Sequence, residues 1–287
     1  MTDAPTAVAD LPSGRIEYRL VPGGPDVVVL FHGGHLRAGL PLGEDALVAA
    51  GYTVLVPSRP GYGRTPLWSQ GSDATDCAAR TAKLCRHLGL DQVAAVVGVS
   101  AGAPTAVAMA VREGPRVRSL VLQSARSSLP WPDGATRAVA RVAFRAPVER
   151  VPWALTHALV RRAPDVGLRL MMGSLSTLPA GQVVAGLTAE ERQRLRTLFA
   201  GMRSGRGFAN DLRQRAEPAQ ERAVTQPTLI VRSPWDGQVG PAHARQLNES
   251  IHGSSVFESP ALSHLLWFGP GAAATEERTL EFIDAHR

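Results

Sequence analysis

Short apolar runs alternate along the chain with segments of helical periodicity. Arg15–Val21 alternates apolar and polar positions, as a half-covered strand does. Val27–Phe31 is an unbroken apolar run, expected of a strand covered on both faces. Thr53–Val56, Val93–Val97, Val117–Leu122, Thr228–Val231 and Ser254–Glu258 read as further strands. A helix is predicted over Asp73–Leu88, where Cys77, Thr81, Leu84, Cys85 and Leu88 share one face and Gly89 supplies the stop. A second runs over Ala101–Glu113 and ends at Gly114-Pro115. A third, Pro241–Ser250, carries proline in its first turn, where the missing N–H costs nothing. This alternation predicts an α/β fold with a mostly parallel central sheet, right-handed crossovers and helices on both faces.

The alternation stops between about Ser127 and Glu221. There the pattern is helical without strands. Thr188-Ala189-Glu190-Glu191 has the form of a capping box opening a helix to about Ala200. Residues 127–221 therefore read as a helical insertion, a lid, after the sixth strand. Residues 1–126 and 222–287 form the core domain. Trp131, Phe144, Trp153 and Met171-Met172 give the insertion its apolar bulk.

Candidate chemistry sits where one strand meets one helix. Gly98-Val99-Ser100-Ala101-Gly102 joins the run Val93–Val97 to the alanine-rich helix. A serine framed by glycines at such a junction has the form of a nucleophile elbow. The turn aims the hydroxyl outward, and the glycines let strand and helix nearly touch. A serine nucleophile needs a base within hydrogen-bond reach and a group that orients the base. In a sheet of this kind ligands bind beyond the carboxyl ends of the strands, so the partners belong in loops after strands.

Asp236 follows the strand Thr228–Val231 in a turn made by Pro234 and Gly237. The loop after Val117–Leu122 reads Gln123-Ser124-Ala125-Arg126 and holds no carboxylate before Asp133, which favours Asp236 as the acid. Among eight histidines, His264 lies in the loop after the last strand and before a terminal helix, and is the candidate base. His32 precedes Gly33-Gly34 and reads as a support for that loop. His35 is a candidate substrate contact. The backbone N–H of Ala101, at a helix N-terminus, and that of Gly34 are the candidate oxyanion donors, with His35 the alternative to Gly34 by one residue. Trp131 and Trp153 either line an acyl pocket or form the insertion's own core.

Composition narrows the classes. The 287 residues suffice for a large core, and 44% hydrophobic with 20% charged residues is ordinary for a globular enzyme. Met1–Asp10 carries acids and no apolar leader core, and Val93–Val111 is interrupted by Gly98, Gly102 and Pro104, so neither a secretory signal nor a membrane span is expected. The two cysteines, Cys77 and Cys85, are too far apart on one helix to pair, and a cytoplasmic location fits them. Net charge is +6, and residues 126–215 hold fifteen arginines against six acids. Scattered arginines without interleaved aromatics read as a solvated face rather than a nucleic-acid surface, although a basic segment could attract an anionic substrate or surface. No metal or cofactor motif is present: there is no P-loop, dinucleotide fingerprint or His-Glu-x-x-His.

With these residues together, the chain resembles the α/β-hydrolase family from about Arg15 to the C-terminus. Ser100, Asp236 and His264 occur in the family's chain order, and Ser58-Arg59-Pro60-Gly61-Tyr62-Gly63-Arg64-Thr65 is similar to its Arg-Pro-Gly-x-Gly loop. The resemblance implies a lidded serine hydrolase without metal or organic cofactor, acting on a small-molecule acyl substrate. It implies hydrolysis of an ester, thioester or lactone through an acyl-serine intermediate. Carbon–carbon cleavage, lyase or acyl-transfer chemistry by the same triad, or a silent ligand-binding fold, are the alternatives. Serine at position 100 disfavours the family's aspartate-dependent epoxide hydrolases and dehalogenases. Two departures from the common pattern, His35-Leu36 where many members have proline and Val99 before the nucleophile, leave the subfamily open.

Overall fold

A computed structural model describes residues 3–132, 137, 143–144, 148–214 and 216–287. Eight strands form one sheet: β1 (Ala7–Leu11), β2 (Gly14–Val21), β3 (Val27–Phe31), β4 (Thr53–Pro57), β5 (Val93–Val99), β6 (Val117–Gln123), β7 (Thr228–Arg232) and β8 (Ser255–Glu258), in the order β1-β2-β4-β3-β5-β6-β7-β8. β1 and β2 pair antiparallel, as do β2 and β4, while every pairing from β4 through β3 to β8 is parallel. The expected mostly parallel α/β sheet is thus present, with an antiparallel edge. β1 is an addition: only Ala9 of its five residues is buried, and Ala7 and Asp10 are exposed. It makes Val117–Gln123 the sixth strand.

Period-two alternation splits the apolar strand residues between two cores. Val28, Leu30, Val54, Val56, Val97 and Val99 enter one, together with Phe199 and Phe282. Val27, Val29, Phe31, Leu55 and Val96 enter the other, beneath α2 (Ala74–His87) and α3 (Ala103–Glu113). Cys77 and Cys85 are buried free thiols within α2. A short helix, α1 (Asp45–Ala49), precedes β4.

Among the described residues six helices lie between β6 and β7: α4 (Arg150–Arg162), α5 (Pro164–Leu175), α6 (Ala180–Ala185), α7 (Ala189–Gly201), α8 (Gly207–Asp211) and α9 (Pro218–Arg222). α7 begins with a complete capping box, Thr188 and Glu191 exchanging backbone and side-chain hydrogen bonds of 3.1 and 2.7 Å. The chain closes with α10 (Pro241–Ser250) and α11 (Ala272–Asp284), on either side of β8. Among the described residues no helix is long and apolar enough to cross a membrane.

Candidate active site

Ser100 stands at the carboxyl end of β5, in a single 3-10 turn (Ser100–Gly102) that leads into α3. Its φ is 51°, a left-handed conformation that costs a non-glycine residue of order 1–3 kcal/mol. Close packing holds it there. A Cβ on Gly98 would come within 2.6 Å of Ala106 Cβ, and one on Gly102 within 2.3 Å of the Phe31 carbonyl oxygen. Only glycine permits that approach of helix to strand.

His264 and Asp236 come from the loops after β8 and β7. His264 Nδ1 lies 2.7 Å from Asp236 Oδ2, and both side chains are buried. The other carboxylate oxygen accepts the N–H groups of Gln238 and Val239 at 2.7 and 2.8 Å. One carbonyl steadies both loops: that of Leu175, at the end of α5, accepts from Gly237 N–H at 3.2 Å and His264 N–H at 2.8 Å. Gly237 must be small, since a Cβ there would lie 2.8 Å from the Ser176 nitrogen.

Ser100 and His264 border one cavity of about 340 Å³. No hydrogen bond joins the Ser100 and His264 side chains directly. Gly33, Gly34 and His35 line the cavity beside them, and Trp131, Phe144, Trp153, Met171, Phe199 and Phe208 supply apolar walls. The structure therefore brings Ser100, His264, Gly34, His35, Trp131 and Trp153 to one cavity, with Asp236 behind His264. Ala101 lies beside Ser100 and packs with Tyr62, Trp131 and Phe208. Both indole N–H groups are already engaged: Trp131 Nε1 donates to the Gln238 carbonyl at 2.9 Å and Trp153 Nε1 to Ser204 Oγ at 2.7 Å.

Sequence reasoning missed a charged clamp beneath the Gly33-Gly34 loop. Arg59 donates from Nε to the His32 carbonyl at 2.8 Å and from Nη2 to the Gly33 carbonyl at 3.0 Å. Its guanidinium also pairs with Asp211 of α8, whose Oδ2 accepts the Tyr62 hydroxyl at 2.6 Å. Arg59 and Tyr62 lie in the Arg-Pro-Gly-Tyr-Gly stretch visible in the sequence, but their acidic partner is remote. His32 does not hold the loop through its ring, as neither ring nitrogen has a partner among the described residues. Arg59 performs that task on its carbonyl. No group of three or more His, Cys, Asp or Glu among the described residues is gathered to hold a metal ion.

The family model for the alpha/beta hydrolase fold matches residues 20–266. The chain belongs to the alpha/beta hydrolase fold family. Within it, the chain is 34% identical over 276 residues to an uncharacterized hydrolase, YcgS, of Bacillus subtilis (strain 168), covering 95% of this chain and 96% of that one. It is similar in structure to an alpha/beta hydrolase fold protein from Nakamurella multipartita, with a TM-score of 0.80 and 26% identity over 98% of this chain and 99% of that chain. It shares its fold with the enol-lactonase from Burkholderia xenovorans LB400, with a TM-score of 0.73 and 19% identity over 97% of this chain and 100% of that chain.

Proposed function

We propose that the protein is a serine hydrolase that cleaves an ester, thioester or lactone through an acyl-Ser100 intermediate. One observation carries the reading: a strained serine at a strand end faces the same cavity as a histidine whose far nitrogen is held 2.7 Å from a buried aspartate. In this reading Ser100 Oγ attacks the substrate carbonyl carbon while His264 Nε2 takes its proton. The tetrahedral oxyanion is received by the N–H groups of Gly34 and Ala101. His264 then returns the proton to the leaving alkoxide or thiolate. A water attacks the acyl-serine by the same route in reverse. Asp236 keeps Nδ1 protonated, so that Nε2 is the basic nitrogen, and it stabilises the imidazolium that forms.

The aromatic and aliphatic cavity walls favour an apolar, compact acyl group, since the volume is near the lower end for small-molecule sites. The wider lidded arrangement, with helices 150–175 forming one wall, belongs to the same reading. A p-nitrophenyl ester series of graded acyl length, run beside lactones and thioesters, tests it. Turnover that peaks at a compact acyl group and vanishes in Ser100→Ala is expected. Turnover of the whole series surviving in Ser100→Ala would overturn it.

A further inference from the structure

His35 is held unusually tightly for a loop residue. Its φ is 65°, and its ring sits among Phe208, Phe144 and Trp153 at centroid distances of 4.0, 4.9 and 5.1 Å. Residues 203 and 204 grip it twice. The Arg203 N–H donates to the His35 carbonyl at 3.0 Å, and Ser204 Oγ lies 2.8 Å from His35 Nδ1. Ser204 is fully buried, and its own N–H reaches Glu149 at 3.3 Å.

The proton positions follow from the donor inventory. The indole N–H of Trp153 can only donate, and it donates to Ser204 Oγ at 2.7 Å. The serine proton then needs an acceptor. Among the described residues its only one is His35 Nδ1. An Nδ1 that accepts leaves the neutral ring's proton on Nε2. That nitrogen has no partner among the described residues, and it is not sealed off by the surrounding side chains. The ring borders the cavity shared with Ser100. Burial outweighs the opposing pull of the Asp211 charge and, with a smaller push from Arg59, holds the His35 pKa down to about 3, so the ring stays neutral.

We infer that His35 Nε2–H is a fixed, neutral donor that selects substrates carrying an acceptor oxygen on the acyl side, such as an oxo, alkoxy or ring-ether oxygen near the scissile carbonyl. The inference rests on the acyl-hydrolase reading above for the placement of the substrate. It makes His35 a specificity residue, and Trp153 and Ser204 the residues that position its proton. A charged imidazolium would attract carboxylates. A neutral donor in an apolar cavity instead favours uncharged oxygen and rejects a methylene, which leaves the N–H unpaired.

The test compares two near-isosteric esters, p-nitrophenyl methoxyacetate and p-nitrophenyl butanoate, on the full chain. Intrinsic reactivity differs between them but cancels when the ratio of their kcat/KM values is compared across variants. His35→Phe is expected to lower the methoxyacetate-to-butanoate ratio by about tenfold. Ser204→Ala, which releases Nδ1, is expected to lower it in the same direction and serves if the phenylalanine variant does not fold. Affinity of the two esters for Ser100→Ala protein, read by calorimetry, separates this inference from the chemistry. A preference for methoxyacetate on that protein, without turnover by the wild type, counts against acyl hydrolysis and not against His35. Equal affinities, no measurable affinity for either ester, or a ratio unchanged in both variants would overturn the role of His35.

Discussion

Arg59 and Asp211 form a buried, two-pronged ion pair, with N···O distances of 2.6 and 2.8 Å across 152 residues of sequence. Through it the helical segment between β6 and β7 reaches the loop beside Ser100. Two further N–H groups of Arg59 hold the carbonyls of His32 and Gly33. A buried guanidinium that loses its carboxylate is left uncompensated, at a cost of about 3–5 kcal/mol. Asp211→Asn is therefore expected to lower the urea midpoint substantially, and turnover with it. Arg59→Lys keeps the charge but loses the planar fork, and should fall between. Unchanged midpoints in both variants would show that the pair is dispensable.

Stability is expected to decline as the solution is acidified. Burial is the main cause that pushes His32 and His35 down to about 3, aided by Arg19 and Arg59 for His32 and by Arg59 against Asp211 for His35. The unfolded chain takes up these protons near the ordinary value of 6.5, whereas the folded chain does not until about 3. The unfolded state therefore binds more protons in this window. Stability is full above the unfolded value and is lost as pH falls, by roughly 1.4 kcal/mol per pH unit for each histidine. Buried Glu44 and Glu221 are raised and act in the opposite sense. Subtracting the profile of His35→Phe isolates one histidine. Urea midpoints measured from pH 7.5 to 5 should show a shallower decline in that variant, and parallel profiles would contradict the assignment.

The elbow predicts a contrast between two glycines. A Cβ at Gly102 would lie 2.3 and 2.5 Å from the Phe31 and His32 carbonyl oxygens, which are backbone atoms with little room to yield. Gly102→Ala should cost about 1–3 kcal/mol and displace Ser100. A Cβ at Gly181, within α6, would face open space, with no heavy atom of a neighbouring element within 4 Å. Gly181→Ala should be neutral or stabilising by up to about 1 kcal/mol. Thermal unfolding with parallel assays checks both, and similar behaviour of the two would contradict the steric account.

Much of the frame could be read from the chain because strands and helices carry local signals. The run Val27–Phe31 is apolar throughout because it pairs on both sides in a covered sheet. The Gly98–Gly102 turn is legible because its demand for small residues is written within five positions. β1 was not legible. It is a short edge strand with little buried surface, stabilised by pairing with β2. The Arg59–Asp211 pair and the His35–Ser204 contact were equally hidden. Each joins residues more than 150 positions apart, and neither partner has a local pattern that names the other. The helix expected from Ala101 begins instead at Ala103, after a 3-10 turn imposed by the close approach of Gly102 to β3.

In the proposed function, Ser100 is a nucleophile activated by His264 and Asp236. Intact-mass analysis after exposure to a fluorophosphonate measures it directly, because the reagent marks an activated serine whatever the natural substrate. A single adduct on Ser100 is expected in the wild type and none in Ser100→Ala. Labelling of Asp236→Asn should be slower by several orders of magnitude, roughly the 10⁴-fold loss that removal of the orienting carboxylate causes in such triads. A wild-type protein that takes up no label, or a Ser100→Ala protein that labels as fast as the wild type, would contradict it.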